Sequence, residues 1–381
     1  MISEILNRAI RFVPALFATV IAFSSVFSAS LETLEADKAE QVSRIASLEQ
    51  AYMSGEIAPV DENGIYDGDL AEALESGIKF NELSFLGTHN SYQKVIIEET
   101  KKLYESLSAL TFGLYSAENL DFESETLTDQ LNCGIRSFEL DIETFDRDGE
   151  ISFTCMHNPY FEMATSCYDF SLAMKEISMW SDNNPGHLPI TLLVEPKSIF
   201  IPLEDMEFFN IEYAEALDDT LRETLGDKLF TPADMQRDYA SFGEMRAADG
   251  WCEVKDMLGK VVVLLHDCSA TEKYIAIDPT VKTQAMFPVL REGDVDRDCA
   301  SVILCNKPEK LLKIKEDIIN NRKIMVRTRA DQFNRISEDA RKNAFASGAN
   351  IISTDYPVRT DTGYGDYVVT FGGKTTVRPN K

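Results

Sequence analysis

Basic residues are scarce in this sequence of 381 residues, in which 37 lysines and arginines stand against 64 aspartates and glutamates. The formal net charge of -27 argues against a nucleic-acid-binding protein, because such a protein needs a basic patch to meet the phosphates. The same acidity repels anionic lipid headgroups. If this protein binds or cleaves an anionic lipid, it would therefore need a bridging cation or a locally basic rim.

Several short motifs are absent as well. No GxGxxG or GxxxxGK loop follows an apolar run, which argues against a nucleotide as ligand. The seven cysteines contain no CxxC pair, so a zinc site is not predicted. Their number fits an exported, oxidised protein, although spacing alone leaves the connectivity open. Local disulfides are expected between Cys155 and Cys167, Cys252 and Cys268, and Cys299 and Cys305, with Cys133 left free in an apolar strand.

The first thirty residues have the composition of a targeting segment. Arg8 and Arg11 precede an apolar run over residues 12–23, and small residues follow at 28–30. We predict a signal peptide over residues 1–30 and a secreted, periplasmic or cell-surface protein. An uncleaved membrane anchor is the alternative. A membrane-spanning helix needs about 20 apolar residues, and serines interrupt this apolar run after residue 23.

Residues 31–79 are predicted to form an N-terminal helix and a connector. Apolar residues recur at roughly helical spacing among charges over 31–55, which favours a helix packed on the domain over a partner-binding stalk. The turn-rich stretch 61–69 lacks the spacing of an EF-hand loop, so we interpret it as a connecting loop.

From residue 80 to residue 381 short apolar runs alternate with helical patterns. Continuous apolar strands separated by helices are typical of a parallel sheet covered on both faces. The length and rhythm favour one α/β domain, a (β/α)8-like TIM barrel that need not be regular, over two open-sheet domains. Strands are predicted over residues 83–90, 134–143, 151–158, 188–197, 259–267, 323–331 and 350–357.

Acidic residues gather at two of these strands. Glu139, Asp141 and Glu143 alternate with apolar residues and share one face, which we expect to point into the barrel mouth. Glu195 ends another strand, and the carboxyl ends of barrel strands meet at one rim. These acids would repel one another without a cation, and oxygen ligands favour a hard ion, Ca²⁺ more than Mg²⁺ outside the cell. A solvated sheet edge is the alternative.

The chain has only four histidines, and three of them lie at predicted strand ends. His89 and His157 lie on either side of the acidic strand in the sequence. This arrangement would suit a general acid and a general base that act beside a bound metal. His187 precedes a strand and is interpreted as structural, at the opposite end of the barrel. His266 either lines the site or pairs with Asp267.

Five motifs together resemble one known family. They are LGTHNSY, GIRSFELDIE, MHNP, LPITLLVEPK and VRTRAD…ASGANIISTDYP, and they look like the secreted, calcium-dependent, phosphatidylinositol-specific phospholipases C of bacteria. The resemblance covers roughly residues 80–360. It implies a (β/α)8-like barrel similar to the catalytic region of the eukaryotic phosphoinositide phospholipases, a Ca²⁺ cofactor and a phospholipid substrate at a membrane surface. We expect a monomer, with no nucleic acid or nucleotide as partner.

The resemblance also implies roles for residues at the matching positions. His89 and His157 correspond to two catalytic histidines, and we assign His89 as the base and His157 as the acid of the first step. The implied calcium ligands are Asn90, Glu139, Asp141 and Glu195. The expected substrate contacts are Lys197, Arg329 and Asp331, with His266 as a further candidate.

One strand departs from the eukaryotic pattern. Where those enzymes carry lysines that bind additional ring phosphates, this sequence has apolar residues or His266 within 259–267, which favours plain phosphatidylinositol. Two alternatives stay open. One is another barrel phosphodiesterase, such as a glycerophosphodiesterase or a sphingomyelinase D-like enzyme, whose HRG-type motif is missing here. The other is a barrel that only binds lipid or sugar. Aromatic residues in 158–163 and 285–290 are interpreted either as lipid-inserting or as core residues.

Overall fold

The computed structural model of the chain describes most of the sequence. The described residues are 2–62, 65–66, 68–110, 122–160, 162–197, 203, 205–360 and 367–380, with backbone only for 2–23 and 106–110. In chain order the strands are β1 (Leu83–Thr88), β2 (Ser137–Arg147), β3 (Glu150–Cys155), β4 (Ile190–Pro196), β5 (Met206–Glu207), β6 (Val261–Leu265), β7 (Phe287–Leu290), β8 (Val302–Leu304), β9 (Met325–Arg329), β10 (Ile351–Thr354) and β11 (Val377–Pro379).

Eight of these strands close a parallel barrel. The order runs β1, β2, β4, β6, β7, β8, β9 and β10, and β10 pairs with β1 again. The remaining three are antiparallel additions, since β3 and β5 pair with β2 and β11 pairs with β1. The predicted TIM barrel is confirmed. The predicted strand 151–158 corresponds to β3 and lies outside the ring, whereas β7 and β8 are barrel strands absent from the predicted set.

Helices cover the outside of the barrel. They are α1 (Ile2–Ser54), α2 (Gly68–Glu75), α3 (Glu98–Leu110), α4 (Leu127–Asn132), α5 (Phe170–Asn183), α6 (Ile211–Leu225), α7 (Pro232–Gln236), α8 (Phe242–Ala247), α9 (Thr271–Ile277), α10 (Pro308–Lys315) and α11 (Glu338–Ala346). Between β7 and β8 the chain forms only one 3-10 turn, Glu292–Asp294, where a regular barrel has a helix.

The direction of side chains along β2 decides where the acidic residues point. Phe138, Leu140 and Ile142 are buried in one apolar cluster with residues of α5 and α6, on the outer face of the barrel. Because neighbouring residues of a strand point to opposite faces, Glu139 and Asp141 point into the barrel. The period-two pattern in the sequence therefore predicts the inner face of β2 correctly.

The N-terminal helix α1 packs on the barrel as expected for residues 31–55. Asp37 is 3% exposed, and its Oδ2 accepts a hydrogen bond from the Thr165 N–H at 2.9 Å. Gln41 exchanges two hydrogen bonds with the backbone of Asp169, at 2.7 and 2.9 Å. None of the described helices combines the length and apolarity that crossing a membrane requires. The signal peptide over residues 1–30 stays a prediction.

We expect Asp37→Ala to destabilise the protein by about 1–3 kcal/mol, because it leaves the buried Thr165 N–H without its acceptor. The variant also removes one of the two carboxylates that Lys94 contacts, at 2.7 Å for Asp37 and 2.8 Å for Glu40. Urea unfolding of both chains measures the difference. Glu35→Ala, at an exposed position of the same helix, is the control and should stay within about 0.5 kcal/mol. Equal losses in the two variants would contradict the docking role of Asp37.

The seven cysteines are all within the described residues, and each is a free thiol, so the three expected disulfides are wrong for this structure. Cys252 precedes β6 and Cys268 follows it, and a strand of five residues separates its ends by about 13 Å. A disulfide needs Cα atoms within about 7 Å. Cys299 and Cys305 flank β8 in the same way.

The remaining expected disulfide and the expected location of Cys133 also differ from the structure. Cys155 and Cys167 are fully buried thiols in one apolar cluster, where cysteine behaves as a small apolar residue. Cys133 ends α4 rather than lying in a strand, because its N–H still bonds the carbonyl oxygen of Asp129 in the last helical turn.

Candidate active site

Both candidate catalytic histidines lie at the rim formed by the carboxyl ends of the barrel strands, and they reach it by different routes. His89 directly follows β1. β2 continues past the rim and forms a hairpin with β3, which returns until Cys155 pairs with Ile142. His157, two residues later, is therefore placed back at the rim by an antiparallel strand. The apolar residues of β1 give way to His89 and Asn90 because the strand reaches the rim of the barrel at that point.

A glycine allows β1 to close against β2. A Cβ on Gly87 would lie 2.8 Å from the Ser137 Cβ, closer than such atoms approach, so only glycine fits without a shift. Asn90 then takes a left-handed conformation with φ 46°, which asparagine tolerates better than most residues. Ser91 donates its N–H to the Glu139 carbonyl oxygen at 2.9 Å. These contacts bring the LGTHN turn beside the acidic strand.

His89 is held by a carboxylate from the last barrel strand. Its Nδ1 lies 2.8 Å from Oδ1 of Asp355, whose side chain is 3% exposed. The other carboxylate oxygen of Asp355 accepts the N–H of Phe333 at 2.6 Å. A carboxylate on Nδ1 fixes the ring orientation and leaves Nε2 for a reacting group.

His157 has an equivalent partner. Its Nδ1 lies 2.5 Å from Oε2 of Glu162, and the Tyr104 hydroxyl donates to Oε1 of the same carboxylate at 2.7 Å. Burial acts to lower the pKa of His157, but the hydrogen bond and charge of Glu162 outweigh it and raise that pKa. Burial likewise acts to raise the pKa of Glu162, yet its bond to His157 lowers it. The pair therefore favours a cationic His157.

Glu162→Gln should lower the pKa of His157, because the charge that outweighs burial is removed. A histidine with a raised folded pKa contributes stability fully below its unfolded pKa of about 6.5 and loses that contribution as pH rises through the folded pKa. We therefore expect E162Q to lose the most stability between about pH 5 and 6, and less at higher pH, in urea unfolding across that range.

Tyr104→Phe is the matched control for this prediction. It removes one hydrogen bond to Glu162 but keeps the carboxylate charge next to His157. We expect Y104F to retain the pH dependence of the parent chain. A loss of stability in E162Q that is independent of pH would contradict the ion pair.

Three carboxylates meet inside the barrel mouth. One ligand atom each of Glu139, Asp141 and Glu195 lies within 4.8 Å of the others. Arg327 forms an ion pair with Glu139. The Lys197 Nζ lies 2.8 Å from Asp141 Oδ2 and 2.9 Å from Glu195 Oε1. The acids are thus partly neutralised by two cations of the chain.

The electrostatics of the three acids differ. Burial acts to raise the pKa of Glu139, but Arg327 and then His89 lower it to about 2, so Glu139 is anionic. Burial raises the pKa of Asp141 despite the charge of Lys197. Burial also opposes ionisation of Glu195, and Lys197 reverses the effect and lowers its pKa.

One atom of this cluster lacks a partner. Asp141 is fully buried; its Oδ2 accepts from the Tyr92 hydroxyl at 2.8 Å, but its Oδ1 has no hydrogen-bond partner among the described residues. Unpaired buried carboxylate oxygens are costly, and three carboxylates together form the all-oxygen set that hard cations prefer. The residues therefore fit Ca²⁺.

Glu143 shares the inner face of β2 but does not belong to this cluster. It is 2% exposed, and burial raises its pKa to about 8 although Lys197 opposes the shift. A carboxyl group that is protonated near neutral pH is a poor metal ligand. The sequence pattern alone does not distinguish Glu143 from Asp141, because both have the same spacing.

A cleft of about 170 Å³ opens between the two histidines. Arg329, at the end of β9, lines it, and its buried Nε has no hydrogen-bond partner in the described part of the chain. Phe122 and Phe333, with ring centroids 5.2 Å apart, supply an apolar wall. With Arg335, which also lines it, the cleft thus combines two guanidinium groups, two imidazoles and an aromatic surface.

The three other predicted substrate contacts lie around the cleft and the acidic cluster. Asp331 is 5% exposed, and its carboxylate accepts hydrogen bonds from Thr354 Oγ1 at 2.7 Å and from the Asp355 N–H at 2.9 Å. It therefore helps to hold the backbone of Asp355 in place. Lys197 contacts the acids. His266 Nδ1 lies 3.0 Å from the carbonyl oxygen of the next residue, and its Nε2 lies 3.8 Å from Glu195, at the edge of the acidic cluster.

His187, interpreted as structural, is 1% exposed before β4 and is held by Ser181 Oγ at 2.8 Å and the Leu188 carbonyl oxygen at 2.7 Å. Burial lowers its pKa to about 4, so it is neutral. Residues without a predicted role complete the site. They are Tyr92, Glu162, Arg327 and Asp355, of which Arg327 and Asp355 stand at predicted strand ends.

Comparison with known proteins agrees with this geometry. The sequence matches the family described as phosphoinositide phospholipase C, Ca²⁺-dependent, over residues 78–153 and 143–381. No curated protein matches the chain. A calcium-dependent phosphoinositol-specific phospholipase C from the Gram-negative bacterium Pseudomonas sp. is similar in structure, with 17% identity and a TM-score of 0.54 over 84% of this chain and 99% of that chain.

Two further solved structures are similar. The myoinositol complex of the Pseudomonas enzyme has 17% identity and a TM-score of 0.54 over 83% of this chain and 98% of that chain. A Ca²⁺-dependent phosphatidylinositol-specific phospholipase C from Streptomyces antibioticus has 18% identity and a TM-score of 0.50 over 73% of this chain and 94% of that chain. At these identities the likeness shows the shared fold.

Proposed function

Because the chain belongs to the Ca²⁺-dependent phosphoinositide phospholipase C family, and is thus a phosphodiesterase, we propose that it cleaves phosphatidylinositol to diacylglycerol and a cyclic inositol phosphate. One observation carries the proposal. Two histidines, each with a carboxylate on Nδ1, face one cleft at the rim that also holds the carboxylate cluster. Paired proton transfer beside a cation is what transfer of a phosphoryl group to a neighbouring hydroxyl requires.

The two histidines divide the proton transfers. His89 Nε2 takes the proton from the inositol hydroxyl beside the phosphate, and that oxygen forms a new bond to phosphorus. The bond from phosphorus to the diacylglycerol oxygen breaks, and His157 Nε2 gives its proton to that oxygen. The pKa of His157, raised by Glu162 against burial, supports its role as the acid. In the second step water opens the cyclic phosphate with the roles reversed.

Asn90, Glu139, Asp141 and Glu195 are the proposed ligands of Ca²⁺. The bound ion would supply positive charge at the phosphate and lower the pKa of the attacking hydroxyl. Arg329 is placed to bind a phosphate oxygen, since its guanidinium lines the cleft between the histidines. We propose Lys197 and His266 as contacts of the inositol hydroxyls at the edge of the cluster.

Unphosphorylated phosphatidylinositol is the proposed headgroup. β6 consists of five buried apolar residues and offers no cation for extra ring phosphates. The substrate would be met as a phospholipid at a membrane surface, by a monomer that is secreted or held at the cell surface.

Release of water-soluble inositol phosphates from phosphatidylinositol vesicles tests the proposal. We expect release with calcium and none with excess chelator. The same vesicles made of phosphatidylcholine are the control and should release no phosphocholine. Absence of release from phosphatidylinositol by the folded protein in calcium would overturn the proposal.

A further inference from the structure

An apolar cavity of about 320 Å³ lies beside the active-site cleft, between α1 and the β2–β3 hairpin. Phe27, Leu31 and Leu34 of α1 form one wall, and two of them, Leu31 and Leu34, follow the predicted signal peptide and stay in the chain after its cleavage. Phe145 of β2 and Met206 of β5 form the opposite wall. The first wall lies outside the family match, which begins at residue 78, so the cavity depends on a helix that this chain adds to the barrel.

The cavity is too large to be a packing defect. Protein interiors contain few voids larger than a water molecule, whereas ligand pockets measure about 300–1,000 Å³. Leu31 is 40% exposed at its margin, so the cavity is reached from solvent. An apolar cavity of this kind holds no well-bound water and accepts an apolar ligand.

The cavity is lined by residues that flank the proposed catalytic acid, His157, in the chain. Met156 and Pro159, on either side of His157 in the chain, both line it. Met163 lines it too, directly after Glu162. His157 therefore stands between the cleft and the cavity, and in the proposed reaction it protonates the diacylglycerol oxygen.

We propose that this cavity holds an acyl chain of the phospholipid substrate, an inference that rests on the proposed function. None of its lining residues among the described ones is charged, which argues against a polar headgroup as the occupant. Methionines make up a third of its lining, and their flexible side chains adapt to a ligand that itself has many conformations. Thus α1 gives the enzyme a site for lipid chains next to the catalytic acid.

Leu31→Glu places a charge at the margin of the cavity. Val42→Glu is the matched control, since Val42 is 52% exposed on the same helix and is not among the lining residues. The first measurement is binding of cis-parinaric acid to the full chain by fluorescence. We expect affinity at least tenfold weaker in L31E and unchanged in V42E. Leu31→Trp, which fills the cavity without a charge, should weaken binding as L31E does.

The second measurement is the ratio of kcat/KM for phosphatidylinositol to kcat/KM for glycerophosphoinositol, the same headgroup without acyl chains. The ratio should fall at least tenfold in L31E and L31W and stay constant in V42E. Equal binding by all chains, or a constant ratio, would overturn the proposal, as would a dimer that L31E dissociates. A parent chain that turns over neither substrate would refute the proposed function, while the fatty-acid binding would still decide whether the cavity takes an acyl chain.

Discussion

His157→Gln should lower kcat on phosphatidylinositol by about 10²–10⁴-fold, the usual contribution of a positioned general acid or base. The substitution removes the proton donor beside the leaving oxygen and keeps a polar side chain next to Glu162. His89→Gln should cause a loss of similar size. The double variant should be hardly slower than either single variant, because groups that act as one unit are strongly non-additive. Initial rates with phosphatidylinositol micelles in calcium measure all three.

A substrate with a better leaving group distinguishes the two roles. In p-nitrophenyl inositol phosphate the leaving phenolate needs no proton, so H157Q should regain most of the parent rate while H89Q should not. Recovery in H89Q instead would reverse the assignment of acid and base. Equal deficits in both variants on both substrates would contradict a division of labour between the histidines.

Much of this site is predictable from the sequence because of how a parallel barrel is built. The carboxyl ends of its strands meet at one rim, so polar residues at those ends must come together wherever they stand in the chain. Period-two spacing on β2 then separates Glu139 and Asp141 from their apolar neighbours. The same rule places Lys197 beside Glu195, two residues away, as the 2.9 Å contact between them confirms.

The two barrel strands missing from the prediction are short. β7 has four residues, one of them a proline, and β8 has three, so neither has the length of a usual strand pattern. They are strands because they pair with neighbouring strands, and a local sequence pattern does not show such pairing. Phe287 of β7 is 2% exposed, and the core interpretation of residues 285–290 is the correct one.

The partners of the histidines are harder to predict for another reason. Glu162 follows His157 by five residues in a loop, where no helix or strand period relates the two side chains. Asp355 is 266 residues from His89, and it is a neighbour only because β10 pairs with β1. Asp355 lies near the end of the strand predicted over residues 350–357, which places it at the rim but does not reveal its partner.

Calcium should raise the melting temperature of the parent chain, since an ion that binds only the folded state stabilises it by about 2.7 kcal/mol at a hundred times its dissociation constant. Asp141→Asn should weaken that binding at least tenfold, because it removes a buried charge whose Oδ1 has no partner among the described residues. The Asn carbonyl can still accept the Tyr92 hydroxyl, so the fold is preserved. Calorimetric titration and thermal unfolding with and without calcium provide two measurements that do not depend on turnover.

Glu143→Gln is the matched control for this prediction, since Glu143 lies on the same face of the same strand two residues further on. Its raised pKa of about 8, caused by burial, already favours the neutral form that glutamine imitates. The calcium-induced shift should therefore survive in E143Q and fall to about half or less in D141N at the same calcium concentration. A shift lost in both variants would enlarge the ligand set to include Glu143. A shift kept in both would place the ion away from β2, and the carboxylate cluster would then be held together by Arg327 and Lys197 alone.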